Sequence, residues 1–167
     1  MPVPIKSESV FPAGIYDISG NGQISTITEA PGLGGHPVPS GNLTVNNLVM
    51  TDQPIQFKFE WGVFGAFAHA INPAFEWRIQ IYLEQYGIGE FSLGAAGFKA
   101  VSNGSGTVGA PLGQVDFSTT IYIPGNTVPP GLYDVVAVIQ LYDMPSGLPC
   151  FAAAFAEFNK INFYQEH

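Results

Sequence analysis

The stretch Pro129-Pro130-Gly131-Leu132-Tyr133 runs directly into Asp134-Val135-Val136-Ala137-Val138-Ile139-Gln140-Leu141-Tyr142. A rigid turn followed by a long β-branched and aromatic run predicts a strand that enters the middle of a sheet. Tyr133, Val135, Ala137, Ile139 and Leu141 fall on one face, while Val136, Val138 and Tyr142 make the other face largely apolar too. A strand that is greasy on both sides is either covered twice within its own domain or buried against another chain. The last predicted strand, Cys150 to Phe163, repeats the pattern, with Phe151, Ala153 and Phe155 on one side and Cys150, Ala152, Ala154, Ala156 and Phe158 on the other. Its Ala content would suit a helix, but the Phe spacing and the preceding Pro149 favour β.

Working outward from this pair, three segments alternate strictly between apolar and polar residues: Ile55 to Trp61, Phe75 to Glu84 and Val115 to Ile123. A period of two means one buried and one wet face, so these read as half-buried antiparallel strands. Gln85 to Gly113 is a Gly-rich meander holding short strands at Gly89 to Leu93 and Phe98 to Val101. Nearer the N-terminus, Gly14 to Ser19 and Ile24 to Thr28 read as two short strands around a Gly20-Asn21-Gly22 turn. Ala30 to Gly41 reads as loop and Leu43 to Met50 as a strand. The expectation is an all-β antiparallel sandwich of about seven to ten strands in one domain over 1–167. Within it, 1–42 would be a loosely patterned N-terminal hairpin and loop decorating a main sandwich at 43–164.

Composition narrows the functional classes. Of 167 residues, 46% are hydrophobic, and the aromatic share of 13% exceeds the charged share of 11%. A surface so poor in charge is built of Ser, Thr, Asn, Gln and Gly, or is partly covered by another subunit. Thirteen acids against five bases give a net charge of −8, which repels a phosphate backbone and argues against nucleic-acid partners and anionic lipid headgroups. No stretch approaches the roughly 20 apolar residues of a spanning helix. Met1 to Glu8 has neither a basic n-region nor an apolar h-region, so the expectation is a cytoplasmic protein, or an exported one whose leader is absent here. Cys150 is the single cysteine, which leaves stability to packing.

Trp77 in the third main strand and Tyr133 just after the Pro-Gly corner together resemble the immunoglobulin-like β-sandwich superfamily. The resemblance covers roughly Ile55 to Phe163 and implies a Trp packed between two sheets and a corner Tyr whose hydroxyl bonds nearby backbone. The paired cysteines of antibody domains are missing, their places taken by Phe57 or Phe59 and by Val135 or Ala137. The chain is thus more similar to cysteine-free sandwiches of bacterial and adhesive proteins. The fold by itself implies no chemistry.

Motifs that could carry chemistry are sparse. Asp17-Ile18-Ser19-Gly20-Asn21-Gly22 matches the opening of a calcium loop, with oxygen ligands at Asp17, Ser19 and Asn21, but Thr28 stands where the closing acid should be. The competing interpretation is a plain hairpin turn. His36, His69 and His167 are isolated from one another and from Cys150, so a metal site or a Cys-His nucleophile would have to assemble in space. Carboxylate pairs Glu76/Glu84 and Asp134/Asp143 lie on strands, where solvation explains them as well as glycoside hydrolysis does. Tyr82, Tyr86, Tyr122 and Tyr142 could stack on sugars, a role that β propensity also accounts for. Asn42-Leu43-Thr44 and Asn103-Gly104-Ser105 are formal glycosylation sequons. The segment Gly62 to Ala74 is read as a loop with Val63, Phe64, Phe67 and Ile71 offered to a protein partner.

The expectation is therefore a non-enzymatic binding or structural module without a cofactor. It would self-associate, or bind another protein, through Val136, Val138, Tyr142, Phe151 and Phe155, with Val63, Phe64 and Phe67 as a second patch. The alternatives are a carbohydrate-binding or calcium-assisted ligand-binding module and, less favoured, a hydrolase with a spatially assembled site.

Overall fold

The computed structural model describes residues 2–9, 14–30, 38–44, 48–66, 68, 73–108 and 113–165, with side chains of 8–9, 26–30 and 38–44 excepted. The described residues form twelve strands: β1 (Val3–Ser9), β2 (Asp17–Ala30), β3 (Val38–Thr44), β4 (Leu48–Met50), β5 (Ile55–Phe64), β6 (Phe75–Gln85), β7 (Gly89–Phe91), β8 (Phe98–Ser102), β9 (Thr107–Val108), β10 (Gln114–Ile123), β11 (Gly131–Asp143) and β12 (Pro149–Tyr164). Two short 3-10 turns, Gly94–Gly97 and Asn103–Ser105, interrupt the meander between β7 and β9. Among the described residues no helix is long and apolar enough to cross a membrane. The fold is all-β.

The hydrogen-bonded path runs β7-β6-β11-β12-β1-β2-β5-β10-β9. Its middle element bends it into two layers. Val3, Pro4 and Ile5 of β1 pair with β2, whereas Lys6 to Ser9 pair with β12, so one strand belongs to both layers. The first layer is β2-β5-β10-β9, extended by β3, and the second is β6-β11-β12 with β7 and β8 on one edge and β4 on the other. All pairs are antiparallel except β4 with β12, which is parallel.

Alternation decides what fills the space between the layers. Ile55, Phe57, Phe59, Trp61 and Val63 of β5, and Trp77, Ile79, Ile81 and Leu83 of β6, are all buried, as are Tyr133, Val135, Ala137, Ile139 and Leu141 of β11. Rings fill the gap: Trp61 stacks on Phe117 of neighbouring β10 at 5.4 Å and meets Trp77 of the facing layer edge-on at 6.0 Å, and Phe57 and Phe59 each meet Phe158 of that layer edge-on. Ala152, Ala154 and Ala156 point inward from β12 beside Ala137. Small residues there offset the volume of the rings contributed by β5, which is why an Ala-rich segment is a strand here.

The N-terminal region departs from its sequence reading. Gly20-Asn21-Gly22 is not a turn; it lies in the interior of the 14-residue strand β2, paired with β5 on one side and β1 on the other. The glycines answer to packing. A Cβ on Gly20 would sit 2.6 Å from the Trp61 Cα, and one on Gly22 would sit 2.8 Å from the Phe158 ring. An N-terminal hairpin does exist, but it is formed by β2 and β3, and far from decorating the sandwich β2 pairs with ten residues of β5. Part of the predicted loop at Ala30 to Gly41 is therefore strand, and the predicted strand Leu43 to Met50 divides between β3 in one layer and β4 in the other.

Gly20→Ala is expected to lower stability by about 2 kcal/mol, because the added methyl collides with rigid β5 backbone. Urea denaturation monitored by Trp fluorescence measures it, and an unchanged midpoint would show that the β2–β5 approach is looser than described.

Candidate functional site

The outer face of β6, β11 and β12 carries the apolar residues expected from the sequence, but it sorts them. Val136 lies opposite Tyr82 of β6 and Glu157 of β12, and Val138 lies opposite Gln80 and Phe155. Gln80 is in turn paired with Phe98 of β8. Tyr82, Val136, Val138 and Phe155 thus form a contiguous strip, with Phe98 across Gln80. Tyr82 is 45% exposed and Phe98 41%, while the two valines and Phe155 are half-buried. The sequence offers Tyr82 as a sugar-stacking residue and gives no sign of Phe98, because the pairing that sets Phe98 across Gln80 from Val138 runs through a Gly-rich meander.

Two residues of the predicted surface are occupied elsewhere. The Arg78 guanidinium lies 4.2 Å over the Tyr142 ring while its Nε donates to Glu76 at 2.7 Å, so Tyr142 is capped. Phe151 packs edge-on against buried Tyr16 at 5.1 Å and belongs to the margin of the core. At the other end of the strip, Phe155 lies under the Lys6 ammonium, which is paired with Glu157 at 2.7 Å.

The second predicted patch is corrected more strongly. Val63 is 1% exposed, because β5 continues through Phe64 and carries its odd-numbered positions into the core. Phe64 points to the other face, where its ring folds back over Gly62 to within 3.0 Å of the point a Cβ would occupy. Phe67, His69 and Ile71 lie outside the described residues.

The calcium reading loses its geometry. Asp17, Ser19 and Asn21 are alternate residues of an extended strand, spaced about 7 Å apart, whereas a calcium loop wraps its ligands around one point. The Asp17 carboxylate instead accepts the Gly14 N–H at 2.6 Å. The described residues contain no cluster of three or more His, Cys, Asp or Glu fit for a metal ion. Tyr82 and Tyr122 stand on opposite outer faces, so they make no joint sugar platform.

The carboxylates are scattered in the same way. Asp134 accepts from Tyr86 Oη at 2.8 Å and pairs with Lys160 at 3.4 Å, and Asp143 caps the turn at Ser146. Glu84 stands opposite Asp134 on one side and Glu90 on the other, giving a three-acid row across the end of the apolar strip. A groove of about 420 Å³ lies there, lined by Tyr82, Glu84, Glu90, Asp134 and Val136. A larger hollow of about 600 Å³ lies over Gly62 on the opposite layer, bordered by Glu60, Asp116, Ser118 and Thr107. The Asn103 sequon is buried, its Oδ1 accepting the Trp77 indole N–H at 3.1 Å, so the folded chain presents no acceptor there.

Cys150 is half-buried, and burial pushes its thiol up, with Asp143 adding to the push and a backbone hydrogen bond opposing it. A thiol held protonated is a poor nucleophile. Tyr16 is raised in the same direction, chiefly by burial and then by Cys150. No protein-family model matches this chain, and no curated protein matches it.

Because Tyr16 ionises less readily folded than unfolded, its contribution is fully present below the ordinary phenol value of about 10 and is lost as pH rises through the folded value. Stability should therefore fall above about pH 10, and Tyr16→Phe should flatten that fall. Denaturation midpoints from pH 8 to 12 test this, and an equal alkaline slope in the variant would remove Tyr16 as the cause.

Proposed function

We propose that this chain is an immunoglobulin-like sandwich acting as a non-enzymatic binding or structural module, and that it self-associates through the outer face of β6, β11 and β12. The superfamily reading is supported by strand order. β2, β5, β10 and β9 stand where A, B, E and D stand in that architecture, and β6, β11 and β12 stand where C, F and G do. Trp77 lies on the C-equivalent strand at the centre of the core. The Tyr133 hydroxyl donates to the Pro129 carbonyl at 3.1 Å, four residues upstream, as a tyrosine corner does. Phe59 and Val135 point inward without a disulfide, and β1 and β3 are additions to the plan.

The observation that carries the functional part is the Tyr82–Val136–Val138–Phe155 strip. Outer sheet faces in water normally alternate to polar residues, and this face keeps apolar side chains across three neighbouring strands. A second copy suits the strip because its charges differ from end to end. The Asp134–Glu84–Glu90 row, with Lys160 on Asp134, lies at one end and the Arg78–Glu76 pair towards the other. A two-fold axis through Val138, lying in the plane of the contact and across the strands, keeps the two acidic rows apart and sets each over the other copy's Arg78–Glu76 pair.

Val138→Lys is expected to weaken self-association by about tenfold, since it forces a charge into the middle of the contact. Sedimentation velocity across a concentration series measures the average mass. An association constant equal to that of the wild type would remove this face from the proposal, with circular dichroism checking that the variant is folded.

A further inference from the structure

A sheet edge exposes a row of unpaired backbone groups that can recruit another strand, and folded proteins guard such edges with short strands, charges, proline or bulges. Three of the edges here are guarded. β3 carries Pro39, and β4 is three residues long. The β7 and β8 edge is broken by a 3-10 turn and carries Glu90 and Lys99. The fourth edge is different. β10 pairs with β5 through ten consecutive positions without a register shift, while on its other side β9 covers only Val115 and Asp116. From Phe117 to Ile123, no described strand pairs with that side.

The sequence of the open segment is Phe117-Ser118-Thr119-Thr120-Ile121-Tyr122-Ile123. It holds no charge, proline or glycine, and it is rich in residues that favour pairing. Ser118, Thr120 and Tyr122 are exposed. The 3-10 turn Gly94–Gly97 and β8 come near β10 without pairing with it, and the segment itself carries no charge, proline or register break.

We propose that the open edge of β10 is a self-pairing surface, through which two copies of the chain join antiparallel strands into one sheet that continues across both. The register follows from the residues. Centred on Thr120, it sets Thr120 against the same residue of the second copy, Ser118 against Tyr122, Thr119 against Ile121 and Phe117 against Ile123. Thr–Thr and hydroxyl–phenol pairs meet on the wet face, and a Thr–Ile and a Phe–Ile pair on the inner one. Asp116 falls opposite Pro124, so a chain of net charge −8 brings no two acids together along the junction. In the next strand Lys58 and Glu60 neutralise each other at 2.6 Å. A second copy fits better than an unrelated strand because this one segment supplies both halves of every pair. The edge is separate from the apolar face of β6, β11 and β12, so either surface can fail alone.

The test uses charge swapping at the symmetric position, in full-length chain carrying Val138→Lys so that the edge alone is read. Thr120→Lys and Thr120→Glu each place like charges opposite one another and should each weaken the dimer by at least about fivefold. A 1:1 mixture of the two should restore it, since Lys then faces Glu. Thr120 is exposed, and unchanged thermal melts will show that both variants fold. A monomeric Val138→Lys parent, single variants that dimerise as the parent does, or a mixture no tighter than either variant alone would each overturn the proposal.

Discussion

The indole of Trp61 lies nearly parallel to the Phe117 ring, at 16° between planes, and meets Trp77 across the gap between the layers. Everything else in the structure is arranged so that this contact can form. Two sheets can bring such rings together only if the backbone between them comes close, and here closeness is obtained by removing side chains. Gly20 lets β2 lie against β5 beside Trp61, Gly22 admits the Phe158 ring, and three inward alanines of β12 leave volume for the rings of the facing layer. The Trp77 N–H is satisfied by buried Asn103, while the Trp61 N–H has no acceptor among the described residues. A buried donor left unpaired costs stability, and the ring contacts around it are what offset that cost.

The second constraint is β1. By pairing with β2 over its first residues and with β12 over its last, it ties the two layers along one side. A strand shared between sheets removes two edges at once. Among the described residues, that leaves the far side of the sandwich, where β9 pairs with only two residues of β10, as a place where strand pairing is incomplete. The apolar strip on β6, β11 and β12 is a separate surplus, of side chains and not of backbone groups. Surplus of both kinds, on different surfaces of a chain poor in charge, is what supports the proposed self-association.

How much of this could be read beforehand depended on whether a residue's environment followed from its own strand. Alternation placed Phe57, Phe59, Trp61, Ile79, Ile81 and Val135 correctly. The same alternation extends one step further to Val63, so the odd-numbered parity of β5 already contained the signal that Val63 is core. It was masked by the glycine at 62, which reads locally as a break. Gly20 and Gly22 misled for a related reason. Glycine is demanded both by tight turns and by close backbone packing, and the residues requiring it here, Trp61 and Phe158, are distant in sequence.

The candidate surface divides in the same way. The chain alone determined that β11 and β12 would be apolar on both faces, since a period of two needs no partner to be recognised. Only the tertiary structure decided which of those residues remain available. Arg78 reaches across to cover Tyr142, Tyr16 takes Phe151, and Phe98 arrives beside Gln80 from a separate strand. How little of the outer edge of β10 is paired by a described strand was likewise invisible in the sequence. A strand's own residues specify its two faces, but whether its edges are paired depends on neighbours brought in by the rest of the chain.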